Sequence, residues 1–351
     1  MKRYRIAVIP GDGVGKEVIP AGQRVLEAAV AGHAELAWTE FPWGSDYYRQ
    51  TGAMMPPDGL EILHRFDAIY LGAVGDPPRV PDHVTLWGLL LPIRKAFDLY
   101  VNVRPIKLLP GIAGPLRDKG PEHIDMVFVR ENTEGEYAGA GGRVHVGTPH
   151  EVALETAVFS RFNVERVVRY AFELARTRRR HLTSITKSNA QQHVMVFWDT
   201  VVAEVARDYP DVEVASLLVD AAAALMVRAP ERFDVVVGSN LFADILTDLG
   251  GALMGSLGLP PSANLAYDSR FPSLFEPVHG SAPDIAGRGV ANPIATIWAG
   301  AMMLDHLGEI EAANRVMHAI EALTTEGKVL TPDLGGTATT EQVAERVIEL
   351  L

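Results

Sequence analysis

The 351 residues carry 32 lysines and arginines against 44 acids, a formal net charge of -12, which repels phosphate backbones and anionic lipid surfaces and argues against nucleic-acid and membrane partners. Cysteine is absent, which excludes a disulfide framework and any thiolate metal site and agrees with a reducing, cytoplasmic setting. A chain of this length with 48% hydrophobic residues exceeds one ordinary core, so a globular protein of two domains is expected.

The first strand is predicted at RIAVI, residues 5–9, where Pro10 stops an apolar run far shorter than that of a secretory signal. IPGDGVGKE (9–17) then places glycines between strand and helix and invites two nucleotide-binding readings. A P-loop fails because its first glycine position is Pro10 and Glu17 stands where a hydroxyl should follow Lys16. The dinucleotide fingerprint fails because Gly11 and Gly13 are followed by lysine at position 16. A tight strand-to-helix turn near a ligand remains the expectation.

A helix is predicted over about 14–31, with strands at ELAWTEF (35–41) and DAIYLGA (67–73). Further strands are predicted at MVFVRE (126–131), LTSITK (182–187), VEVASLLVD (212–220) and FDVVVGS (233–239). Most are followed by helical patterns, which defines an α/β protein with a substantially parallel sheet. The glycine-rich, then alternating segment 138–160 reads as a protruding hairpin or arm, a common subunit contact, or as an ordinary surface loop. The basic run RTRRRH (176–181) ends a helix and reads as a solvated end rather than an anion site. IATIWAGAMML (294–304) falls short of the roughly 20 residues of a membrane span. Helices near 292–305, 309–324 and 339–350 close the chain, the last entered through Thr339 and Thr340 as caps.

Three arginines lie in apolar company: Arg94 in LLLPIRKAF, Arg104 in YVNVRPIKL and Arg130 in DMVFVREN. Each alone reads as a structural ion pair. Together they can grip a di- or tricarboxylate, because guanidinium matches carboxylate bidentately and stays charged when partly buried. The helix NLFADILTDLG stacks Asp244 and Asp248 one turn apart. At about 6 Å and an effective dielectric of about 20, two such carboxylates repel by roughly 2 to 3 kcal/mol, a sign that a divalent cation reverses. Taken alone, the pair also reads as a polar stripe on a half-buried helix. Asp220 ends the strand-like VEVASLLVD, and Lys187 and Tyr137 follow strands, where open sheets tend to present ligands. A lysine beside a divalent cation can serve as a base.

In their order, the motifs IPGDGVGKEV, RENTEGEY, TKSN, SNLFADILTDLG and EPVHGSAPDIAGRGVANP resemble the β-decarboxylating dehydrogenase family from end to end. Within that family, DHVTLWGLLLPIRKAFDLYVNVRP, LGLPPSANL and FPSLFEPVHGSAPD are most similar to the branch acting on tartrate and D-malate. The resemblance implies two α/β domains sharing a mixed sheet, not a Rossmann fold. A larger cofactor-side domain would comprise residues 1–99 and 253–351, and a smaller one 100–252 would carry the arm. It also implies a homodimer in which Lys187 and Asp220 reach the neighbouring subunit's site.

By the same resemblance Arg94, Arg104 and Arg130 hold substrate carboxylates, and Asp220, Asp244 and Asp248 surround Mg²⁺ or Mn²⁺, with K⁺ as an optional accessory. Lys187 takes the hydroxyl proton as hydride leaves for NAD, and after CO₂ loss, which the metal assists as a Lewis acid, Tyr137 protonates the carbon. The cofactor stretch 276–293 contributes Glu276, His279, Gly280, Ser281, Ala282, Asp284, Ile285 and Asn292. His279 would pack on adenine, Asn292 would meet its edge, and Asp284 would accept from the ribose. NADP enzymes of the family carry lysine and tyrosine at the positions of Asp284 and Ile285, so NAD is expected. Trp87 and Leu90, on the helix before Arg94, are expected to face the C3 substituent, Trp87 shrinking the pocket toward malate or tartrate. Isopropylmalate, served by the leucines, is the alternative substrate, and a silent NAD-binding regulatory subunit the remoter one.

Overall fold

A computed structural model describes residues 1–351. Its strands are β1 (Lys2–Gly11), β2 (Ala34–Glu40), β3 (Ala68–Ala73), β4 (Val101–Lys107), β5 (Asp125–Glu131), β6 (Gly135–Val144), β7 (Val152–Val158), β8 (His181–Thr186), β9 (Glu213–Leu218), β10 (Val235–Gly238), β11 (Pro261–Leu265) and β12 (Ser273–Pro277). Ten of them form one sheet in the order β2-β1-β3-β12-β11-β4-β5-β10-β8-β9. Its outer parts are parallel, and within them β3 and β10 are apolar runs buried on both faces. The three central junctions, β12 to β11, β11 to β4 and β4 to β5, are antiparallel. The fold is therefore a mixed α/β sheet. Strands from both ends of the chain meet at its centre, and one apolar core runs from Ile6 to Val347.

Three central strands went unread in the sequence for a physical reason. On β4, β11 and β12 the residues on one face are polar or charged, among them Asn102, Arg104, Asn264 and Glu276, and all four are buried. Apolar patterning cannot announce such a face. Other differences are local. Asp220 lies in the first turn of the helix Val219–Arg228 rather than at a strand end. The arm is the hairpin β6–β7, and it begins early enough to include Tyr137 within β6. The basic run is exposed at Arg179 and Arg180, as a solvated end would be, but Arg178 Nε donates to Asp234 at 2.8 Å and its Nη2 to Asp125 at 2.9 Å, tying the helix Arg161–Arg176 to the sheet. No helix is long and apolar enough to cross a membrane.

The turn IPGDGVGKE serves close backbone approach. Gly13 has φ +52°, and a Cβ there would lie 1.9 Å from the Ser281 carbonyl oxygen, which accepts the Val14 N–H at 2.9 Å. The Asp12 carboxylate accepts from Ser45 N, Ser45 Oγ and Gly75 N at 2.7 to 2.9 Å. Glu17 accepts from the amides of Gly287 and Gly289 and so holds a loop 270 residues away. At the other end, Thr339 and Gln342 form a reciprocal capping box on the helix Thr340–Glu349.

Gly13→Ala combines positive-φ strain with this collision and should lower stability by more than about 1 kcal/mol. Gly142→Ala, where a Cβ meets nothing within 4 Å, should be near neutral. Urea unfolding midpoints of the two variants against the parent check the difference.

Candidate active site

The sheet's register builds the site. Along a strand, alternate residues share a face, and the pairings Asn102↔Arg130 and Asn264↔Asn102 bring those side chains to the face that also carries Arg104. Glu276, opposite Ser262 on β12, joins them. The helix Asn240–Leu253 lies over this face and presents Asn240, Asp244 and Thr247 at the 3.6-residue period. Arg130 donates from Nε and Nη2 to Asn240 Oδ1 at 3.0 and 2.7 Å, and from Nη1 to Asp244 Oδ1. Arg104 donates from Nε to Asn102 Oδ1 at 2.9 Å and from Nη1 to Asp244 at 3.1 Å and Thr247 Oγ1 at 2.6 Å.

Arg94 enters from the helix Leu91–Ala96 and donates from Nη2 to Glu276 Oε1 at 3.0 Å. Its Nε is buried with no partner in the chain, a donor left for a ligand. Tyr137 donates its hydroxyl to Asp244 Oδ2 at 3.0 Å, and the Arg130 guanidinium lies 5.4 Å from its ring centre. These side chains, with Leu86, Leu90, His279 and Gly280, line a cavity of about 160 Å³. Three guanidiniums face two carboxylates there, leaving one unbalanced positive charge for an anionic ligand.

Ionisation follows from this crowding. Burial, then the neighbouring Arg130, pulls Arg104 down to about 10, and burial likewise lowers Arg94. Burial opposes ionisation of Asp244, but Arg130 and Arg104 outweigh it and hold its carboxyl below the usual range. Burial and then Asp244 raise Tyr137, which keeps its proton at neutral pH and is placed to give it. Asp248 opens to solvent one turn on. Its residual desolvation, then Asp244, push its carboxyl upward against the pull of Arg104 and Arg130. An oxygen-only carboxylate pair suits a hard divalent cation, which keeps water or ligand oxygens in the rest of its shell. The chain alone assembles no group of three such ligands.

A second, more apolar cavity of about 600 Å³ is lined by Val14, Leu257, Gly258, Ala282, Ile285, Asn292 and Asp333. His279 borders both cavities, and burial lowers its imidazole below the ordinary range. Asn292 donates to Asp333 at 2.9 Å and accepts from the Ile294 amide at 3.0 Å. Ser281 is buried and Asp284 is exposed, and neither lines the cavity.

The expected residues thus fall into three places. Leu90, Arg94, Arg104, Arg130, Tyr137, Asp244, Glu276, His279 and Gly280 meet at the small cavity, so Glu276 belongs with the charged cluster rather than with the larger cavity. Ala282, Ile285 and Asn292 line the larger one. Lys187 and Asp220 stand apart as an ion pair at 2.5 Å, with Asp220 exposed. Trp87 does not line the cavity; the residue is 42% exposed and its ring rests on Gly139. The buried amides Asn102, Asn132, Asn240 and Asn264 and the hydroxyl of Thr247 were missed. The spacing of two between Asn102 and Arg104 in YVNVRPIKL was the available signal.

The isocitrate/isopropylmalate dehydrogenase family matches residues 5–347, and the chain belongs to it. It is an enzyme of the decarboxylating dehydrogenase type. It is 56% identical over 354 residues to a probable tartrate dehydrogenase/decarboxylase of Agrobacterium vitis, covering 100% of this chain and 98% of that one. It is 54% identical over 360 residues to D-malate dehydrogenase (decarboxylating) of Escherichia coli, covering 100% and 99%. Among solved structures, isocitrate dehydrogenase from Methylococcus capsulatus aligns over 99% of both chains with a TM-score of 0.89 at 37% identity.

The two aspartates should affect stability with opposite signs. Asp244, lowered from an ordinary 3.8, contributes stability that is present above that value and lost as pH falls through its depressed folded value. Asp248, raised from 3.8, carries a penalty present above its folded value and gone in acid. Metal-free Asp244→Asn should therefore melt lower than the parent at neutral pH and Asp248→Asn higher, both differences vanishing in acid. Thermal melts across pH check the signs.

Proposed function

We propose that this enzyme oxidises a small 2-hydroxy dicarboxylic acid, tartrate or D-malate, with NAD and Mg²⁺ or Mn²⁺, and decarboxylates the product. The single observation that carries the reading is the trio of buried arginines around Asp244 in a cavity of about 160 Å³. That is below the roughly 300 Å³ of pockets for drug-sized ligands, which supports a small diacid. Leu86 and Leu90 on the wall are what support the isopropylmalate alternative.

Bound NAD would supply the hydride acceptor and a bound divalent cation would supply Lewis-acid chemistry. Asp244 and Asp248 would hold that cation, together with the partner subunit's Asp220. Arg94, Arg104 and Arg130 bind and orient the carboxylates. The partner subunit's Lys187 takes the hydroxyl proton. Tyr137, protonated and beside Asp244, gives its proton to the carbon that loses CO₂. With tartrate the second hydroxyl also allows simple oxidation, or decarboxylation without net redox change.

The larger cavity would take the adenosine end of NAD, with His279 at the junction of the two cavities and Asp284 disfavouring a 2′-phosphate. A homodimer is supported by Lys187 and Asp220 lying outside their own chain's cavity, and by the exposed Val144, Val146, Val152 and Leu154 on the hairpin. The reading divides the chain into a domain of residues 1–99 and 253–351 and one of 100–252, and places the enzyme in the cytoplasm.

NADH formation on D-malate, L- and meso-tartrate and isopropylmalate with Mn²⁺ tests the substrate; a kcat/KM highest for isopropylmalate overturns it. Lys187→Met should lower kcat by about 10²- to 10⁴-fold, and hydride transfer near the parent rate would remove Lys187 as the base. Asp248→Asn should weaken the Mn²⁺ dependence, and an unchanged metal titration would remove it from the cation site.

A further inference from the structure

Trp87 and Lys95 lie outside the cavity yet make the contact between the helix that carries Arg94 and the strand that carries Tyr137. The chain passes through a π turn at Leu86–Leu90, which leaves Leu86 and Leu90 on the cavity wall and Trp87 on the outside. Lys95 Nζ lies 4.7 Å from the centre of the Trp87 ring and donates to the Ala138 carbonyl at 3.0 Å. Gly139, with φ +75°, takes the ring itself: a Cβ there would lie 2.6 Å from Trp87 Cη2 and 2.9 Å from Cζ3. Both the missing side chain and the left-handed backbone are thus needed for the hairpin to seat under the indole. Ala138 and Gly139 follow Tyr137 directly, and Lys95 follows Arg94 directly.

We propose that Trp87, Lys95 and Gly139 form a latch that docks the hairpin's base on the Arg94 helix and fixes where the Tyr137 hydroxyl stands over the substrate. They are positioning residues, and the proposal rests on the reading of Tyr137 as proton donor. The indole covers the glycine and the ammonium clips the carbonyl, a cation–π contact and a charge-assisted hydrogen bond that share one nitrogen. Arg94 is held independently by Glu276, whereas Tyr137 keeps only its contacts to Asp244 and Arg130, so releasing the latch loosens the tyrosine and leaves substrate binding in place.

The test uses the full-length enzyme with NAD, Mn²⁺ and D-malate. In Lys95→Met and Trp87→Ala, amide exchange across residues 136–140 should rise while exchange in β4 and β5 stays as in the parent. Their kcat should fall roughly tenfold or more, as expected for a misplaced catalytic group, with the KM for D-malate nearly unchanged. An NADH burst should appear in the first turnover, because hydride transfer precedes the slowed protonation. Lys95→Arg, which keeps both contacts, should restore slow exchange and turnover. Parental exchange and kinetics in both loss variants overturn the latch. Tyr137→Phe separates the two ideas: a burst in it with parental behaviour in the latch variants sinks the latch alone. Parental kcat in Tyr137→Phe instead overturns the donor reading and the latch's catalytic consequence with it.

Discussion

The site depends on one constraint: three guanidiniums are buried at the centre of a sheet, and each needs an acceptor there. A buried charge without a partner costs several kcal/mol. The chain meets that demand with a single shared carboxylate, Asp244, which takes Arg130, Arg104 and the Tyr137 hydroxyl, and with Glu276 for Arg94. Buried amides complete the shell, Asn240 on Arg130 and Asn102 on Arg104. The amides are themselves held: Asn102 and Asn132 donate to Asn264, which donates to Glu276. The arginines are thus pre-oriented by a network reaching from β5 to β12, so little ordering is left for ligand binding.

The antiparallel centre of the sheet follows from the same demand. A parallel strand pair needs a long crossover, whereas β4 and β5 pair antiparallel, with Arg104 opposite Phe128 and Asn102 opposite Arg130. That register puts polar side chains from neighbouring strands on one face and leaves Val103 and Val129, paired with each other, on the apolar other face. The helix Asn240–Leu253 approaches closely enough to close the cluster because Gly250 sits over Ile106, where a Cβ would lie 2.7 Å from Cδ1.

Where burial is apolar, the sequence was legible. β1, β3, β5, β8 and the three closing helices announced themselves through β-branched runs, helical period and caps, and the capping box at Thr339 formed as those residues imply. The charged members of the cavity were also readable, because arginine in apolar company and two aspartates a turn apart both require a reason. What stayed hidden is the part that makes no apolar pattern: PSANL and SLFEP as central strands, the asparagines, and the outward turn of Trp87. That last point depends on a π turn, in which one extra residue per turn rotates the face, and no period in WGLLLPIR marks it. Lys187 and Asp220, an ion pair away from the cavity, were candidates from their places after strands, and only resemblance assigned them to a neighbouring subunit's site.

Sharing Asp244 among three donors also governs what can enter. On the proposed function, a cation that takes its oxygens weakens the only carboxylate contacts of Arg130 and Arg104, which keep the neutral acceptors Asn240, Asn102 and Thr247 and gain from a new anionic acceptor. A dicarboxylate is such an acceptor, because its carboxylates offer the guanidiniums the bidentate partner that Asp244 gives up. The two ligands therefore relieve each other's cost, and by linkage each must tighten the other by the same factor. On that reading a ligand with a single carboxylate would leave one guanidinium without an anionic partner, so the demand for acceptors that shapes the cluster would also disfavour monoacids.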